Sequence, residues 1–142
     1  METRRIGNLE VSVIGLGCNN FGWKIDENAT RDVLDAAISV GINFLDTADT
    51  YGKTTSEEFI GRALQGRRDR VLIATKFGSE MDEHPEERRG NPDYIQWAVE
   101  GSLRRLRTDV IDVYQMHRPD PETPILETLG ALNDLVHDGK VR

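Results

Sequence analysis

Four short apolar segments alternate along the chain with longer stretches of helical periodicity. The segments span residues 13–17, 42–46, 71–76 and 110–117, and they are rich in Val, Ile, Leu and Phe. Near-continuous apolar runs of this length are typical of buried parallel β-strands. Because each segment begins about 30 residues or more after the previous one, the spacing predicts a series of βαβ units.

Sequence signals mark where the helices after these strands begin and end. Gly41, Gly66 and Gly139 predict the ends of the first, second and fourth helices, because glycine favours the left-handed conformation beyond a helix C-terminus. The predicted helix starts are a capping box at Thr55 and Glu58, and the pairs Asn91-Pro92 and Thr123-Pro124.

A small hairpin is predicted before the first βα unit. Leu9, Val11 and Val13 alternate with polar residues, and Gly7-Asn8 supplies a two-residue turn. The pattern is therefore a hairpin followed by four βα units in a single α/β domain, residues 1–142. Four such units are compatible with an open doubly wound sheet or with half of a TIM-type (β/α)8 barrel.

The composition is that of a folded globular protein with an acidic balance. Of the 142 residues, 37% are hydrophobic and 30% are charged, and the formal net charge is −7. This charge disfavours binding to nucleic acid or to an anionic membrane surface. The single cysteine, Cys18, allows no intrachain disulfide, and residues 1–5 lack the apolar core of a signal peptide. We therefore expect a cytoplasmic protein with no nucleic acid or membrane partner.

Four polar side chains fall at one edge of the predicted sheet. Asp46, Lys76 and His117 stand at the C-terminal ends of three predicted strands, and Tyr51 follows the second of the four strands closely. Ligands gather at this edge in parallel β/α folds. A tyrosine could deliver a proton to a carbonyl oxygen if a nearby ammonium favoured the phenolate left behind. None of the four residues can donate hydride, so carbonyl reduction here would require a cofactor, for which nicotinamide is the natural choice.

Taken one at a time, the four residues have ordinary structural explanations. Asp46 and Lys76 could form a structural ion pair, Tyr51 could be a loop tyrosine, and His117 could simply end a strand. Their joint occurrence in this order is what favours a catalytic site.

The segments that carry these residues resemble the aldo-keto reductase family. The resemblance rests on residues 14–18, 43–52, 74–76 and 102–117, and it covers the chain in order. It implies an eight-stranded β/α barrel closed at one end by an N-terminal hairpin, NADPH (NADP+) as hydride donor and a small carbonyl compound as substrate. It also implies a catalytic tetrad, in which Tyr51 is the general acid, Lys76 and Asp46 tune it, and His117 orients the substrate.

The resemblance has two further implications. Gly17, Cys18, Asn19 and Asn20 would contact the cofactor together with Asp46. The family's chain continues through four more strands. We therefore expect residues 1–142 to be the N-terminal half of a barrel. We expect the isolated half to self-associate or to pair with a missing C-terminal half, and to bind NADPH weakly by itself.

Several points remain as alternatives. Phe21 and Trp23 either line the substrate pocket or pack in the interior, and Cys18 is expected to be a small buried residue. The chain is either a reductase or a cofactor-binding regulatory or assembly module, similar to the family's channel-associated β subunits.

No His/Cys cluster predicts a metal site, and the acidic run Asp82, Glu83, Glu86 and Glu87 is interpreted as exposed charge.

Overall fold

The computed structural model describes residues 1–81 and 88–142, so the acidic run predicted to be exposed charge lies outside the described residues. The described residues form six strands: β1 (Thr3–Ile6), β2 (Leu9–Ser12), β3 (Gly15–Gly17), β4 (Phe44–Asp46), β5 (Leu72–Phe77) and β6 (Val113–Met116). The same residues form four α-helices, α1 (Glu27–Ser39), α2 (Thr55–Ala63), α3 (Pro92–Leu106) and α4 (Ile125–His137), and a short 3-10 helix at Arg68–Arg70. The predicted hairpin and the four βα units are therefore confirmed.

The strands form two sheets. Strands β1 and β2 pair antiparallel around the predicted Gly7-Asn8 turn, with Ile6 opposite Leu9. Strands β3, β4, β5 and β6 form a parallel sheet in chain order. A doubly wound sheet reverses its strand order at a switch point, so the sequential order identifies the barrel type of α/β fold.

The parallel sheet continues beyond β6. Ile111 forms a parallel bridge with Val141, and the amide of Arg142 donates to the carbonyl of Ile111 at 3.0 Å. Residues 140–142 therefore lie beside β6 in the position of a fifth parallel strand. This extends the sequential order by one position.

Two of the predicted helix starts are wrong in detail. The N-cap of α2 is Thr54, in the left-handed region with φ 74° and without a side-chain cap, so Thr55 and Glu58 form no capping box. The N-cap of α4 is Pro124 rather than Thr123, whose hydroxyl donates instead to Asp120. Asn91 does cap α3 as predicted, because its side chain accepts from the amide of Tyr94.

The predicted glycine stops also differ in outcome. Gly41 and Gly139 follow the C-caps of α1 and α4 with φ of 85° and 74°, as expected for helix termination. Gly66 is also left-handed, but α2 has already ended at Ala63, so Gly66 belongs to the following turn.

Within the described part of the chain, helices pack on only one face of the parallel sheet. Leu45, Ile73 and Phe77 lie on that face and are fully buried in the main hydrophobic core. The helices contribute buried side chains to the same core, among them Leu34, Ile60, Ile95 and Leu135. The opposite face carries half-buried side chains, including those of Asp46 and Lys76. The apolar sequences of the strands predicted burial on both faces. That prediction is wrong for the described residues, because one face is only half-buried.

An apolar strip also remains exposed on α4. The relative exposure of Ile125, Leu126 and Leu129 is 60%, 79% and 52%. Within residues 1–81 and 88–142, no helix combines the length and the apolar character needed to cross a bilayer.

Candidate active site

The four predicted catalytic residues converge at the C-terminal edge of the parallel sheet. Asp46 is the last residue of β4, Lys76 lies next to the end of β5, and His117 directly follows β6. The amide of His117 donates to the carbonyl of Phe77 at 2.7 Å, which extends the β5–β6 pairing by one residue. Side chains of residues 46, 76 and 117 therefore share one face of the sheet, because alternate residues point the same way.

Lys76 lies at the centre of the site. Its Nζ donates to Asp46 Oδ1 at 2.5 Å, to the carbonyl of Thr47 at 2.7 Å and to the hydroxyl oxygen of Tyr51 at 3.5 Å. An ammonium group has three donors, and all three are used here. Since Tyr51 accepts from Lys76, its own hydroxyl proton is free to be donated to another group.

Tyr51 and His117 lie beside each other next to Lys76. Their rings meet edge to face, with centroids 5.8 Å apart and planes at 84°. The ammonium of Lys76 is 5.0 Å from the Tyr51 ring centroid. The tertiary fold thus brings together all four residues that the sequence suggested.

His117 is an uncharged imidazole near neutral pH. Burial lowers its pKa from the ordinary value of 6.5, and the nearby cations Lys76 and Arg118 lower it further. Its Nδ1 is buried and has no protein partner among the described residues. A neutral ring has one N–H donor and one acceptor nitrogen, so His117 can take part in hydrogen bonding without bringing a second positive charge to Lys76.

The loop after β3 forms one rim of the site. Gly17, Asn19 and Asn20 are exposed, and a Cβ on Gly17 would meet nothing within 4 Å. Cys18 is fully buried behind this rim, and its amide donates to the carbonyl of Asp46 at 2.8 Å. Burial raises the pKa of its thiol to about 12. The prediction of a small buried cysteine is confirmed, and its side chain faces the protein interior.

Phe21 and Trp23 differ sharply in their surroundings. Phe21 is 2% exposed and belongs to the main core, so its burial favours the packing alternative. Trp23 is 69% exposed, and the ammonium of Lys24 lies 4.7 Å from its ring centroid. Of the two aromatic residues, Trp23 alone has a surface that a ligand could reach.

Sequence reasoning missed a close approach between two loops. Gly52 has φ 59°, and a Cβ there would lie 2.6 Å from the carbonyl oxygen of Phe21. Gly22 has φ 72°, and its Cβ would lie 2.6 Å from that of Thr55. The two glycines let the loop after β3 pack directly against the loop that carries Tyr51.

Sequence reasoning also missed a layer of buried polar groups behind the sheet. Glu57 accepts from the Thr75 hydroxyl at 2.5 Å and from Arg105 Nε at 2.7 Å. A signal existed for Glu57, because it shares the helical stripe of the apolar residues Ile60 and Leu64, where a charge requires a partner.

Asp49 is the most perturbed carboxyl of that layer. It is fully buried, and its oxygens have no hydrogen-bond partner among the residues that the structure describes. Burial raises the pKa of Asp49 to about 7, and the nearby charge of Glu57 adds to the effect, while Arg105 opposes it. Asp49 therefore holds a proton over much of the acidic range.

Within the described parts of the chain, no group of three His, Cys, Asp or Glu residues has the arrangement of a metal site.

Comparisons with known proteins agree with the fold. The sequence model described as Aldo/keto reductase family matches residues 13–142. The chain is 42% identical over 146 aligned positions to the uncharacterized oxidoreductase YqkF of Bacillus subtilis (strain 168), covering 100% of this chain and 47% of that protein. It is 43% identical over 149 positions to the Schizosaccharomyces pombe aldo-keto reductase yakc, whose name specifies NADP(+), covering 100% and 44%.

A solved structure gives the same result. The aldo-keto reductase AKR11C1 from Bacillus halodurans, in its holo form, superposes with a TM-score of 0.90 at 40% identity. The match covers 100% of this chain and 48% of that one. The chain therefore spans about half the length of the relatives that it matches.

Proposed function

Since the chain belongs to the aldo/keto reductase family, we propose that its tetrad reduces aldehydes or ketones to alcohols with NADPH. The observation that carries the proposal is the position of the Lys76 ammonium, which contacts both the Asp46 carboxylate and the Tyr51 hydroxyl. This geometry provides a proton donor at the edge where ligands bind in parallel β/α folds.

Tyr51 is the general acid of the proposed reaction. Its hydroxyl accepts from Lys76, so its proton can pass to the oxygen of a bound carbonyl group. The ammonium stabilises the phenolate that remains after proton transfer, because opposite charges attract strongly in a partly buried site. His117 is a poor alternative as the acid, since its lowered pKa leaves it uncharged near neutrality.

Asp46 and His117 support this step in different ways. Asp46 holds Lys76 in place and balances its charge, so the ammonium stays beside Tyr51. His117 lies against the Tyr51 ring and orients the carbonyl oxygen through a hydrogen bond from its neutral imidazole.

The exposed rim after β3 suits a nicotinamide cofactor. Asn19 and Asn20 provide amide groups, Gly17 leaves open space for close approach of a ligand, and Asp46 stands beside them. A bound NADPH supplies the hydride that no side chain can supply. The relative from Schizosaccharomyces pombe, with NADP(+) in its name, supports NADPH over NADH. Trp23 is the residue that we propose at the edge of the substrate opening.

The proposed setting is the cytoplasm, where Cys18 would remain a free thiol. This half does not provide every contact to the cofactor and substrate. The other contacts come from the part of the active assembly that covers the open face of the sheet. We expect no nucleic acid or membrane partner because the net charge is −7.

The test is NADPH oxidation by the complete assembly, in which the open face of the sheet is covered, with a panel of aldehydes and ketones and with Tyr51→Phe compared against Tyr114→Phe. Tyr114 is the matched control because its hydroxyl is buried and makes no hydrogen bond within the described part of the chain. Loss of general acid catalysis should reduce turnover by about 10²- to 10⁴-fold in Tyr51→Phe and leave Tyr114→Phe close to the parent.

The same measurement separates the second candidate function. Cofactor binding without turnover, in the parent as in both variants, would favour the regulatory or assembly module. Equal turnover by the parent and Tyr51→Phe would contradict the assignment of Tyr51 as the acid.

A further inference from the structure

A buried pair of hydroxyl groups lies directly behind the proposed site. Ser56, in the first turn of α2, and Thr47, just after β4, are both fully buried. Their side-chain oxygens are 2.9 Å apart, and the Ser56 hydroxyl also donates to the carbonyl of Cys18 at 3.0 Å.

The direction of these hydrogen bonds follows from counting protons. A serine hydroxyl has one proton, and that of Ser56 is used by the Cys18 carbonyl. Thr47 must therefore be the donor in its contact with Ser56. The result is a short directional chain from Thr47 through Ser56 to Cys18, which joins the loop after β4, helix α2 and the loop after β3.

Thr47 and Ser56 also hold parts of the proposed site through their backbone groups. The carbonyl of Thr47 accepts from Lys76 Nζ at 2.7 Å, and its amide donates to the carbonyl of Ala74 at 2.9 Å. The amide of Ser56 donates to the carbonyl of Tyr51 at 3.2 Å. One residue of the pair thus contacts the lysine, and the other contacts the backbone of the tyrosine.

The segment between Tyr51 and Ser56 needs such an anchor. Gly52, Lys53 and Thr54 are consecutive residues with φ of 59°, 53° and 74°. Two of them are not glycine, and non-glycine residues persist in this region only where the surrounding structure holds them. Without a fixed Ser56, the segment could relax and carry Tyr51 away from Lys76.

We propose that Thr47 and Ser56 are positioning residues, whose buried hydroxyl pair fixes Tyr51 relative to Lys76. The catalytic significance of the pair rests on the proposed function, but the positioning itself is a property of the folded chain. It can therefore be tested without any turnover.

The test follows the Lys76 ammonium by nitrogen-15 NMR of the full chain, comparing the parent with Thr47→Val and Ser56→Ala. Each variant removes one hydroxyl and keeps or reduces side-chain volume. Hydrogen exchange of the Lys76 ammonium should accelerate about five- to tenfold in both, as expected for weakening of one hydrogen bond. The double variant should behave like Ser56→Ala, because Ser56 takes part in both hydrogen bonds and its loss already removes the contact with Thr47.

Two controls separate positioning from general loss of stability. Thr47→Ser keeps the hydroxyl and should retain the slow exchange of the parent. Leu135→Ala opens a cavity in the buried end of α4 and lowers stability, but it should leave the Lys76 exchange unchanged. Parent-like exchange in folded Thr47→Val and Ser56→Ala would overturn the proposal.

Kinetics then give a second readout in any preparation that turns over. Displacing the proton donor should lower kcat more than it raises KM, and Thr47→Ser should restore kcat. If the complete assembly, with the open face of the sheet covered, shows no turnover, the proposed function fails while the exchange result still decides the positioning role. Parent-like kcat in both variants, in an active preparation, would count against the proposal.

Discussion

The rings of Tyr51 and His117 meet edge to face, with centroids 5.8 Å apart and planes at 84°. The two residues come from different βα units and meet because strands β4, β5 and β6 are neighbours in the sheet. The contact puts the proposed proton donor beside a neutral imidazole.

Substitution of His117 should separate substrate orientation from proton donation. We expect His117→Ala to lower turnover of a carbonyl substrate by about 10²- to 10³-fold, the usual cost of losing one hydrogen-bond donor to a reacting oxygen. His117→Gln should recover part of the loss, because its amide can also donate. The measurement is steady-state NADPH oxidation, and unchanged kcat and KM in His117→Ala would refute the orienting role.

The buried carboxyl of Asp49 should make stability depend on pH. Its pKa is about 7 in the fold, against an ordinary value of 3.8. Between these values the folded state holds a proton that the unfolded state has released, so the free energy of unfolding falls as the pH rises. Well above pH 7 the full penalty is present, on the order of 4 kcal/mol.

Asp49→Asn should remove this part of the pH dependence. The variant should therefore be more stable than the parent above pH 7, with the difference vanishing towards pH 4. Urea unfolding across this range is the measurement, with the exposed Asp69→Asn as the control that keeps the parent slope. Parallel curves for the parent and Asp49→Asn would show that Asp49 ionises normally.

Gly52 should tolerate no side chain. Gly52→Ala would introduce a Cβ 2.6 Å from the Phe21 carbonyl oxygen at a residue with φ 59°. We expect a loss of about 2 to 4 kcal/mol, from the left-handed conformation and the clash together. Gly7→Ala is the control, since Gly7 has φ 57° with nothing within 4 Å and carries the conformational cost alone, about 1 to 2 kcal/mol. Denaturant midpoints that fall equally in both variants would argue against the close approach.

The Glu57–Arg105 ion pair should be far more important for stability than a surface pair. Both side chains are nearly inaccessible, so Glu57→Gln would leave the Arg105 charge buried without its carboxylate. We expect a loss of about 3 to 5 kcal/mol in the free energy of unfolding. Glu2→Gln, which breaks the exposed pair with Arg4, should cost less than about 1 kcal/mol. Similar losses of unfolding free energy in the two variants would show that burial does not determine how strongly the Glu57–Arg105 pair stabilises the fold.

The 142-residue chain by itself should self-associate in solution. Ile125, Leu126 and Leu129 form an exposed apolar strip on α4, and among the described residues β3 has one unpaired edge in the parallel sheet. Contiguous apolar surfaces and open strand edges both favour association. Light scattering should report a mass above that of the monomer, reduced in Leu126→Lys and not in the exposed control Glu122→Lys. A monomer at all concentrations would refute the expectation.

Much of the site could be predicted because strand ends are visible in the sequence. Asp46, Lys76 and His117 each end an apolar run, and parallel strands put such ends at one edge of a sheet. The exact limits of the strands were less predictable. Val13 was assigned to the first parallel strand, yet it precedes β3 and is exposed, because local apolarity does not reveal which residues find a hydrogen-bonding neighbour.

Helix starts were likewise predictable only where the signal is local in sequence. Asn91 caps α3 as its sequence indicates, since the capping contact spans only three residues. Thr54 takes the N-cap position of α2 in a left-handed conformation that no local signal favours. The turn is held by contacts to residues far along the chain, including the approach of Gly52 to Phe21.

The sequence by itself determined the hairpin, the four βα units and the candidate tetrad, because periodicity and strand ends are local properties. The tertiary structure decided the sequential strand order, which distinguishes a barrel half from a doubly wound sheet. It also decided that Phe21 packs in the core while Trp23 is exposed, that Asp49 is buried, and that Thr47 pairs with Ser56. These outcomes depend on contacts between segments distant in sequence, whose energies no local pattern of residues records.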